Sequence, residues 1–312
     1  MSWSPEAAVV SITLDRIFKL HYKENETHTS NPGLGRIMTK ALDANEVSRI
    51  FILGRREDAL QETISQTING TVIPIKCDIT SKESLEEAYE AVAAQTTHVD
   101  LLIANSGIMG PLMKPPQPAA DGSLPPLSQV RDELFNIPMD EFNKVLNVNV
   151  TGSYYTVLAF LPLLEAANKR RPAPQPGVVA APTAQVIITS SIAGYARKVP
   201  FSFAYNASKS ATTQLVKMLS TSFAYYGIRV NGLSPGLYYS DMANHIFQAA
   251  GITGQAIEDG SFPREMIPAT RGGSEEDMAG LIVWLASNSG GYINGNILVT
   301  DGGRISVVPA SY

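Results

Sequence analysis

Tyr205 and Lys209 stand one helical turn apart in the run Ser202-Phe203-Ala204-Tyr205-Asn206-Ala207-Ser208-Lys209. On a helix this spacing puts both side chains on one face. An ammonium beside a phenol favours phenolate, so the spacing predicts a Tyr205 pKa below the usual value of about 10. Such a tyrosine can exchange a proton with a substrate oxygen near neutral pH. The bare pattern is common by chance. The pair Ser190-Ser191, upstream at the end of an apolar run, is what gives it weight.

A second group of residues has the chemistry of a phosphate site. Asn31-Pro32-Gly33-Leu34-Gly35 leads into a helical pattern. Glycines at a strand-to-helix turn let the backbone approach a pyrophosphate, which rests on the helix N-terminus; a plain turn explains two glycines equally well. Leu53-Gly54-Arg55-Arg56 puts two guanidinium groups, and no acid, where an adenosine ribose would be gripped. That charge suits a 2′-phosphate; the alternative is a charged first turn of the next helix. Asp78, in Cys77-Asp78-Ile79, is placed to meet an adenine amino group, and Asn105 lies in the tight turn Ala104-Asn105-Ser106-Gly107.

Short runs rich in Val, Ile and Leu alternate with longer helical patterns. The strands are expected at Ala8 to Thr13, Arg49 to Leu53, Val72 to Lys76, Leu101 to Ala104, Gln185 to Thr189, Arg229 to Leu233 and Ile297 to Thr300. Helices are expected at Gly35 to Ala44, Arg56 to Ile68, Ser81 to Ala94, Met139 to Ala167, Ala204 to Tyr226 and Ser274 to Ser287. Strands without clean alternation are buried on both faces. The β-α order therefore predicts an α/β fold, a parallel sheet covered by helices on both sides, in one domain. Residues 111–138 and 169–184, rich in Pro, Ala and Gly, read as surface insertions.

Composition narrows the function. A net charge of −5 with scattered basic residues gives no footprint for nucleic acid or acidic lipid. No apolar run approaches a membrane span, and the short run Ala7 to Thr13 lacks the flanks of a signal peptide. Cys77 is the only cysteine, which excludes an internal disulfide and favours a cytoplasmic location.

Taken in order, these pieces resemble the short-chain dehydrogenase/reductase family from about residue 31 to 303. The matching motifs are Gly33-Leu34-Gly35, Gly54-Arg55-Arg56, Cys77-Asp78-Ile79, Ala104-Asn105-Ser106-Gly107, Asn147-Val148-Asn149-Val150-Thr151-Gly152, Ser190-Ser191-Ile192-Ala193-Gly194, Tyr205 to Lys209, Asn231-Gly232-Leu233-Ser234-Pro235-Gly236 and Asp301-Gly302-Gly303. The resemblance implies a doubly wound, Rossmann-type three-layer α/β/α domain and hydride transfer with a nicotinamide cofactor; Arg55 and Arg56 point to NADP(H) in preference to NAD(H). It implies a catalytic set of Asn149, Ser191, Tyr205 and Lys209. Ser191 would hold the substrate carbonyl, Tyr205 would pass the proton, Lys209 would acidify the phenol and hold the nicotinamide ribose, and Asn149 would link Lys209 to a water chain. Asn147 competes with Asn149, and Ser190 with Ser191, though the pattern Ser-Ser-x-Ala-Gly favours Ser191. Thr13, Gly33, Leu34, Gly35, Arg55, Arg56, Asp78, Ile79, Asn105, Tyr205, Lys209, Pro235 and Gly236 would contact the cofactor. At Gly236 a side chain would obstruct the nicotinamide carboxamide. A homodimer or homotetramer formed through the long helices is implied as well.

The chain departs from the family at the first glycine motif. Thr13 and Asn31 to Gly35 match its two ends, and residues 14–30 stand between them. They read as an insertion, either an intervening sequence retained in the message or a genuine loop. Residues 237–270 hold the family's substrate lid; any one of its apolar and aromatic residues reads first as packing of a lid helix on the domain, and collectively they point to a large, mostly apolar ketone or alcohol. His245 reads as a packing or surface residue, and no set of metal ligands is visible. The competing function is a non-catalytic binding or scaffold subunit whose interrupted glycine turn has lost the cofactor. Isomerisation or dehydration on the same fold is a third possibility.

Overall fold

A computed structural model describes residues 8–12, 33–113, 116, 118–240, 242–249, 251–252 and 254–311. Thr13 and the insertion at 14–30 lie outside the described residues. The elements run β1 (Ala8–Ile12), α1 (Leu34–Ala44), β2 (Arg49–Gly54), α2 (Glu57–Ser65), β3 (Val72–Lys76), α3 (Lys82–Ala93), β4 (Leu101–Ala104), α4 (Leu127–Phe135), α5 (Met139–Leu146), α6 (Ser153–Lys169), β5 (Gln185–Thr189), α7 (Phe203–Phe223), β6 (Arg229–Pro235), α8 (Asn244–Ala249), α9 (Glu275–Ala286), β7 (Ile297–Thr300) and α10 (Arg304–Val307).

The strands form one sheet in the order β3-β2-β1-β4-β5-β6-β7, and every pairing is parallel. The chain moves outward from β1 to β3, then crosses back to β4 on the other side of β1. That reversal opens a crevice at the carboxyl ends of the two central strands, where ligands of such sheets bind. Pro74 is tolerated in β3 because β3 is an edge strand.

Strands β2, β4 and β5 are apolar on both faces. Phe51, Leu53, Leu102, Val186 and Ile188 join a core with α3, α6 and α7; Ile50, Ile52, Ile103 and Ile187 join a second core with α1 and α9. Three layers follow directly from that pattern. The helix ends are set locally: the Ser81 hydroxyl accepts the Ser84 N–H at 3.1 Å, and Ser274 with Asp277 forms a capping box on α9. Asp43, wholly buried, anchors α1 by accepting hydrogen bonds from the Ile68 and Asn69 N–H groups and the Thr71 hydroxyl. Burial alone would raise its pKa; these bonds outweigh burial and hold the carboxyl below its ordinary range.

One expected helix differs in detail, and one helix was not expected. The stretch Met139 to Ala167 is not one regular helix, because a π-helical turn at Asn147–Gly152 separates α5 from α6. Gly152 lies in that turn against Ile79; a Cβ there would fall 2.7 Å from Ile79 Cδ1. Within 111–138, α4 is a helix with no buried residue. Its proline flanks hid it in the sequence. Residues 237–270 carry α8 and a small core of their own, in which the Phe247 ring meets those of Tyr239 and Phe262 edge-on.

Candidate active site

A cleft of about 680 Å³ runs along the carboxyl ends of the strands, from Gly33–Gly35 at the start of α1 to Val308 beyond α10. Its volume is ordinary for a cofactor and small-molecule site.

The reactive residues converge from three elements. Ser202 caps α7 by accepting the Tyr205 N–H at 3.3 Å, which places Tyr205 in the first turn of that helix, on the cleft wall. Ser191 follows β5 and opens a 3₁₀ turn, Ile192–Gly194, where its hydroxyl accepts the Ala193 N–H at 3.2 Å. The Ser191 hydroxyl and the Tyr205 phenol both line the cleft, and, against the larger effect of burial, Ser191 acts on the phenol to lower its pKa. Ser190 also borders the cleft, but its buried hydroxyl is spent: it donates to the Lys209 carbonyl at 2.9 Å and accepts from the Thr213 hydroxyl at 2.7 Å. This resolves the serine pair in favour of Ser191 as the residue able to meet a substrate.

Gly194 explains how the two elements approach so closely. A Cβ there would lie 2.8 Å from both the carbonyl carbon and the oxygen of Lys209. Backbone cannot yield as a side-chain tip can. Gly194→Ala is therefore expected to cost about 1–3 kcal/mol, to displace Ser191 from Tyr205, and to lower turnover at least tenfold. Gly33→Ala, where a Cβ meets nothing within 4 Å, is the control and should leave the melting temperature unchanged. Thermal melts of both variants check this; equal melting temperatures would refute the packing argument.

Lys209 is only 3 % exposed, and its ammonium donates to the Thr189 carbonyl at 2.8 Å. Burial pushes its pKa down to about 8. Its nitrogen lies 5.8 Å from the centre of the Tyr205 ring. The spacing argument predicted an acidified phenol. The structure shows the opposite: burial raises the Tyr205 pKa, and the Ser191 hydroxyl recovers only part of that rise. Shared helix face does not fix where a long lysine side chain ends, and here a carbonyl captures it. In the cofactor-free protein Tyr205 is a neutral phenol, the state that gives up a proton.

Asn149, fully buried in the π-helical turn, bonds the backbone of Ile108 in both directions, accepting at 2.8 Å and donating at 3.0 Å, and donates to the Ser208 hydroxyl at 2.9 Å. Both amide hydrogens are thereby used, leaving only one Oδ1 lone pair to face a water. Ser208 in turn donates to the Tyr205 carbonyl. Asn147 is exposed, so the competition between the two asparagines is settled by burial. A Cβ at Gly107 would sit 3.2 Å from Lys209 Nζ and 3.3 Å from Asn149 Oδ1, so the turn after β4 closes over both.

At the other end of the cleft lie Gly33, Leu34, Gly35 and Arg56, with Asn105 on the wall between. Arg55 and Asp78 do not line the cleft. They face each other at 3.9 Å, and the other Asp78 oxygen accepts from the Thr80 N–H and hydroxyl. Ile79 packs its side chain into the core, leaving only its backbone to meet a ligand. Pro235 and Gly236 line the cleft at the end of β6. At Gly236 a Cβ would also lie 2.7 Å from the Asp301 Cα, so the turn after β7 by itself excludes a side chain.

Sequence reasoning missed several lining residues. Arg36 enters the cofactor end, buried and paired with Glu62 at 2.9 Å. Arg304, Ile305 and Val308 close the far end. The tail beyond them pairs antiparallel at Ala310 with Ala196, just past the Ser191 turn. The only available signal was their place after Asp301-Gly302-Gly303. Among the lid residues, Phe247 and Phe262 are buried in the lid's own core, the packing role open to each of them from the sequence, and Met242, Ile246 and Met266 face the cleft. Among the described residues no three metal-binding side chains cluster, and no helix is long and apolar enough to cross a membrane.

The residues present fit a nicotinamide dinucleotide. An open helix N-terminus with glycines stands at one end, Gly107 forms a close cradle at the middle, and the buried Thr189 hydroxyl on the wall has no partner of its own. This sheet and this cleft are those of a dinucleotide-dependent oxidoreductase. Comparison with known proteins narrows the class. A family model described as "Enoyl-(Acyl carrier protein) reductase" matches residues 29–304. The chain is 41 % identical to the short-chain dehydrogenase/reductase SAT3 of Stachybotrys chartarum, over 88 % of this chain and all of that one. It is 36 % identical to PhomF of Diaporthe leptostromiformis, another short-chain dehydrogenase/reductase, over 90 % of each. The solved RhlG/NADP active-site complex of Pseudomonas aeruginosa shares the fold, with a TM-score of 0.69 over 96 % of each chain at 24 % identity. The chain belongs to the short-chain dehydrogenase/reductase family, and is a nicotinamide-dependent oxidoreductase of the CH–OH group.

Proposed function

We propose that the protein is an NADP(H)-dependent reductase of ketones, or dehydrogenase of the matching secondary alcohols, acting on a bulky and mostly apolar small molecule. The observation that carries this reading is the Ser191–Tyr205 hydroxyl pair on the cleft wall, with the Lys209 ammonium buried behind it. The scaffold alternative is disfavoured, because a chain released from catalysis has no reason to keep a charged lysine buried beside a carbonyl.

When bound, the nicotinamide supplies or accepts the hydride. In the reductive direction Ser191 donates a hydrogen bond to the substrate oxygen and Tyr205 transfers its proton to the same oxygen. The Lys209 ammonium offsets the charge left on the phenolate, and its place beneath Gly107 suits it to the nicotinamide ribose hydroxyls. Asn149 is a positioning residue that ties the β4 turn to α7. Gly33 to Gly35, with Thr13, would hold the pyrophosphate, and Asn105, Pro235 and Gly236 would line the cofactor's path. Asp78 and the Ile79 backbone would flank the adenine. Segment 237–270 acts as the lid, with Met242, Ile246 and Met266 as its apolar contacts. We read 111–138 and 169–184 as surface insertions. The family resemblance supports a cytoplasmic dimer or tetramer.

NADP(H) is preferred on the strength of Arg56, which lines the cleft where an acid would favour NAD(H), with Arg55 beside it. The solved relative with NADP at its active site is in keeping with this. Arg56→Asp is expected to weaken NADPH about 10–100-fold, the worth of a charge-assisted hydrogen bond, and NADH much less; Arg55→Asp should act in the same direction but less, because Arg55 already faces Asp78. Fluorescence titration with both cofactors measures it, and equal weakening of the two would refute the preference. A panel of ketones and alcohols assayed with each cofactor tests the function itself: turnover of apolar ketones with NADPH is expected, and none with any pair would overturn the proposal.

A further inference from the structure

The far end of the cleft holds one charged group that the proposed chemistry does not use. Arg304 opens α10 and lines the cleft, with Ile305, Val308, Met266 and Ile246 as its apolar companions. Its guanidinium is partly buried and, among the described residues, makes one hydrogen bond, to the Met266 carbonyl of the lid at 3.1 Å. A guanidinium carries five N–H donors. Asp301, the acid whose charge acts on it, does not satisfy the rest. Asp301 spends one carboxylate oxygen on the Gly303 N–H at 2.9 Å and the other on the Ile305 N–H at 2.8 Å. No ion pair holds Arg304 among the described residues. Burial depresses its pKa, with Asp301 opposing from a distance.

A desolvated cation in an apolar wall is costly unless something of opposite charge meets it. The position of Arg304 says where that partner enters. The residue is anchored to the lid on one side, and its own tail pairs with the segment that follows the Ser191 turn. It therefore stands across the substrate space, on the side of the cleft away from Gly33 and Arg56. The planar fork of arginine matches a carboxylate in two parallel hydrogen bonds. A phosphate on a carrier arm would stay at the mouth, where Lys198 and Glu265 are both exposed and of opposite sign.

We propose that Arg304 is a specificity-determining residue that binds a carboxylate on the substrate, so that the preferred substrates are keto acids: apolar molecules with a reacting ketone at one point and an anionic carboxylate at another. This rests on the ketone-reductase reading and narrows its substrate class.

The test uses 4-, 7- and 9-oxodecanoic acids and their methyl esters as probes. Affinity is measured calorimetrically and kcat/KM with NADPH, for the unaltered protein, Arg304→Met and Arg304→Lys. At least one acid is expected to bind ten- to a hundredfold more tightly than its ester. Arg304→Met should abolish that preference through the acid alone, leaving ester affinity within about twofold; Arg304→Lys should restore part of it. Acid and ester bound alike by the unaltered protein would overturn the proposal. So would a preference that survives Arg304→Met, or a variant that loses both ligands together, which would make Arg304 a strut for the lid. Because affinity is read without turnover, the reductase reading fails separately: it falls if none of these ketones oxidises NADPH, whichever way the acids bind.

Discussion

Tyr205→Phe is expected to lower kcat by about a thousandfold while leaving NADPH affinity within twofold. General acid–base catalysis contributes roughly 10²–10⁴ to such reactions, and the phenol is a proton donor that lines the cleft together with Ser191. The substitution removes one hydroxyl and keeps the ring. Burial holds the resting phenol neutral, so in the reductive direction the unaltered protein needs no prior protonation and its rate should stay level across neutral pH. Single-turnover kinetics with a ketone separate the chemical step from binding. A variant with more than a tenth of normal turnover would remove Tyr205 from its role.

Lys209→Met is expected to reduce turnover by at least a hundredfold and, at neutral pH, not to destabilise the cofactor-free fold. The lysine pKa falls from 10.5 to about 8 on burial, a cost of about 3 kcal/mol. Methionine removes that cost and leaves the Thr189 carbonyl without its donor, a loss of about 1–3 kcal/mol. The sign of the pH dependence follows from linkage. Between pH 8 and 10.5 the unfolded chain holds the proton that the folded chain has released, so the stability of the unaltered protein rises with pH. Below about pH 8 both states carry the charge and the full burial cost is present. Relative to the methionine variant, the unaltered protein should therefore gain stability from pH 8 to 10. Denaturant melts at the two values measure it, and a relative loss over that range would contradict the burial argument.

Both substitutions act on residues that the sequence exposed plainly, and the reason is local. Buried parallel strands must be apolar on both faces, so runs such as Arg49 to Leu53 and Gln185 to Thr189 are legible without partners. The cluster's membership was likewise carried by fixed spacings: Ser191 in its glycine-bearing turn, Tyr205 and Lys209 on one helix face. What spacing does not encode is where a flexible side chain ends. Lys209 reaches a carbonyl rather than the phenol, and burial then raises the Tyr205 pKa instead of the lysine lowering it. Neighbouring arginines look alike in sequence, yet Arg56 lines the cleft and Arg55 meets Asp78. Apolar content in the lid could not distinguish Phe247, which packs inward, from Ile246, which faces the cleft. Gly236 and Gly194 were readable as glycines, but the backbone each one admits comes from distant elements.

Transfer of deuterium from NADPH labelled at nicotinamide C4, by both label epimers in turn, tests the central claim most directly. With an accepted ketone, one epimer should deliver its label to the carbinol carbon of the product, and Tyr205→Phe should bind the cofactor yet deliver almost none. Label appearing in solvent instead, or equal delivery by the phenylalanine variant, would contradict a site in which the Ser191 and Tyr205 hydroxyls receive the substrate oxygen.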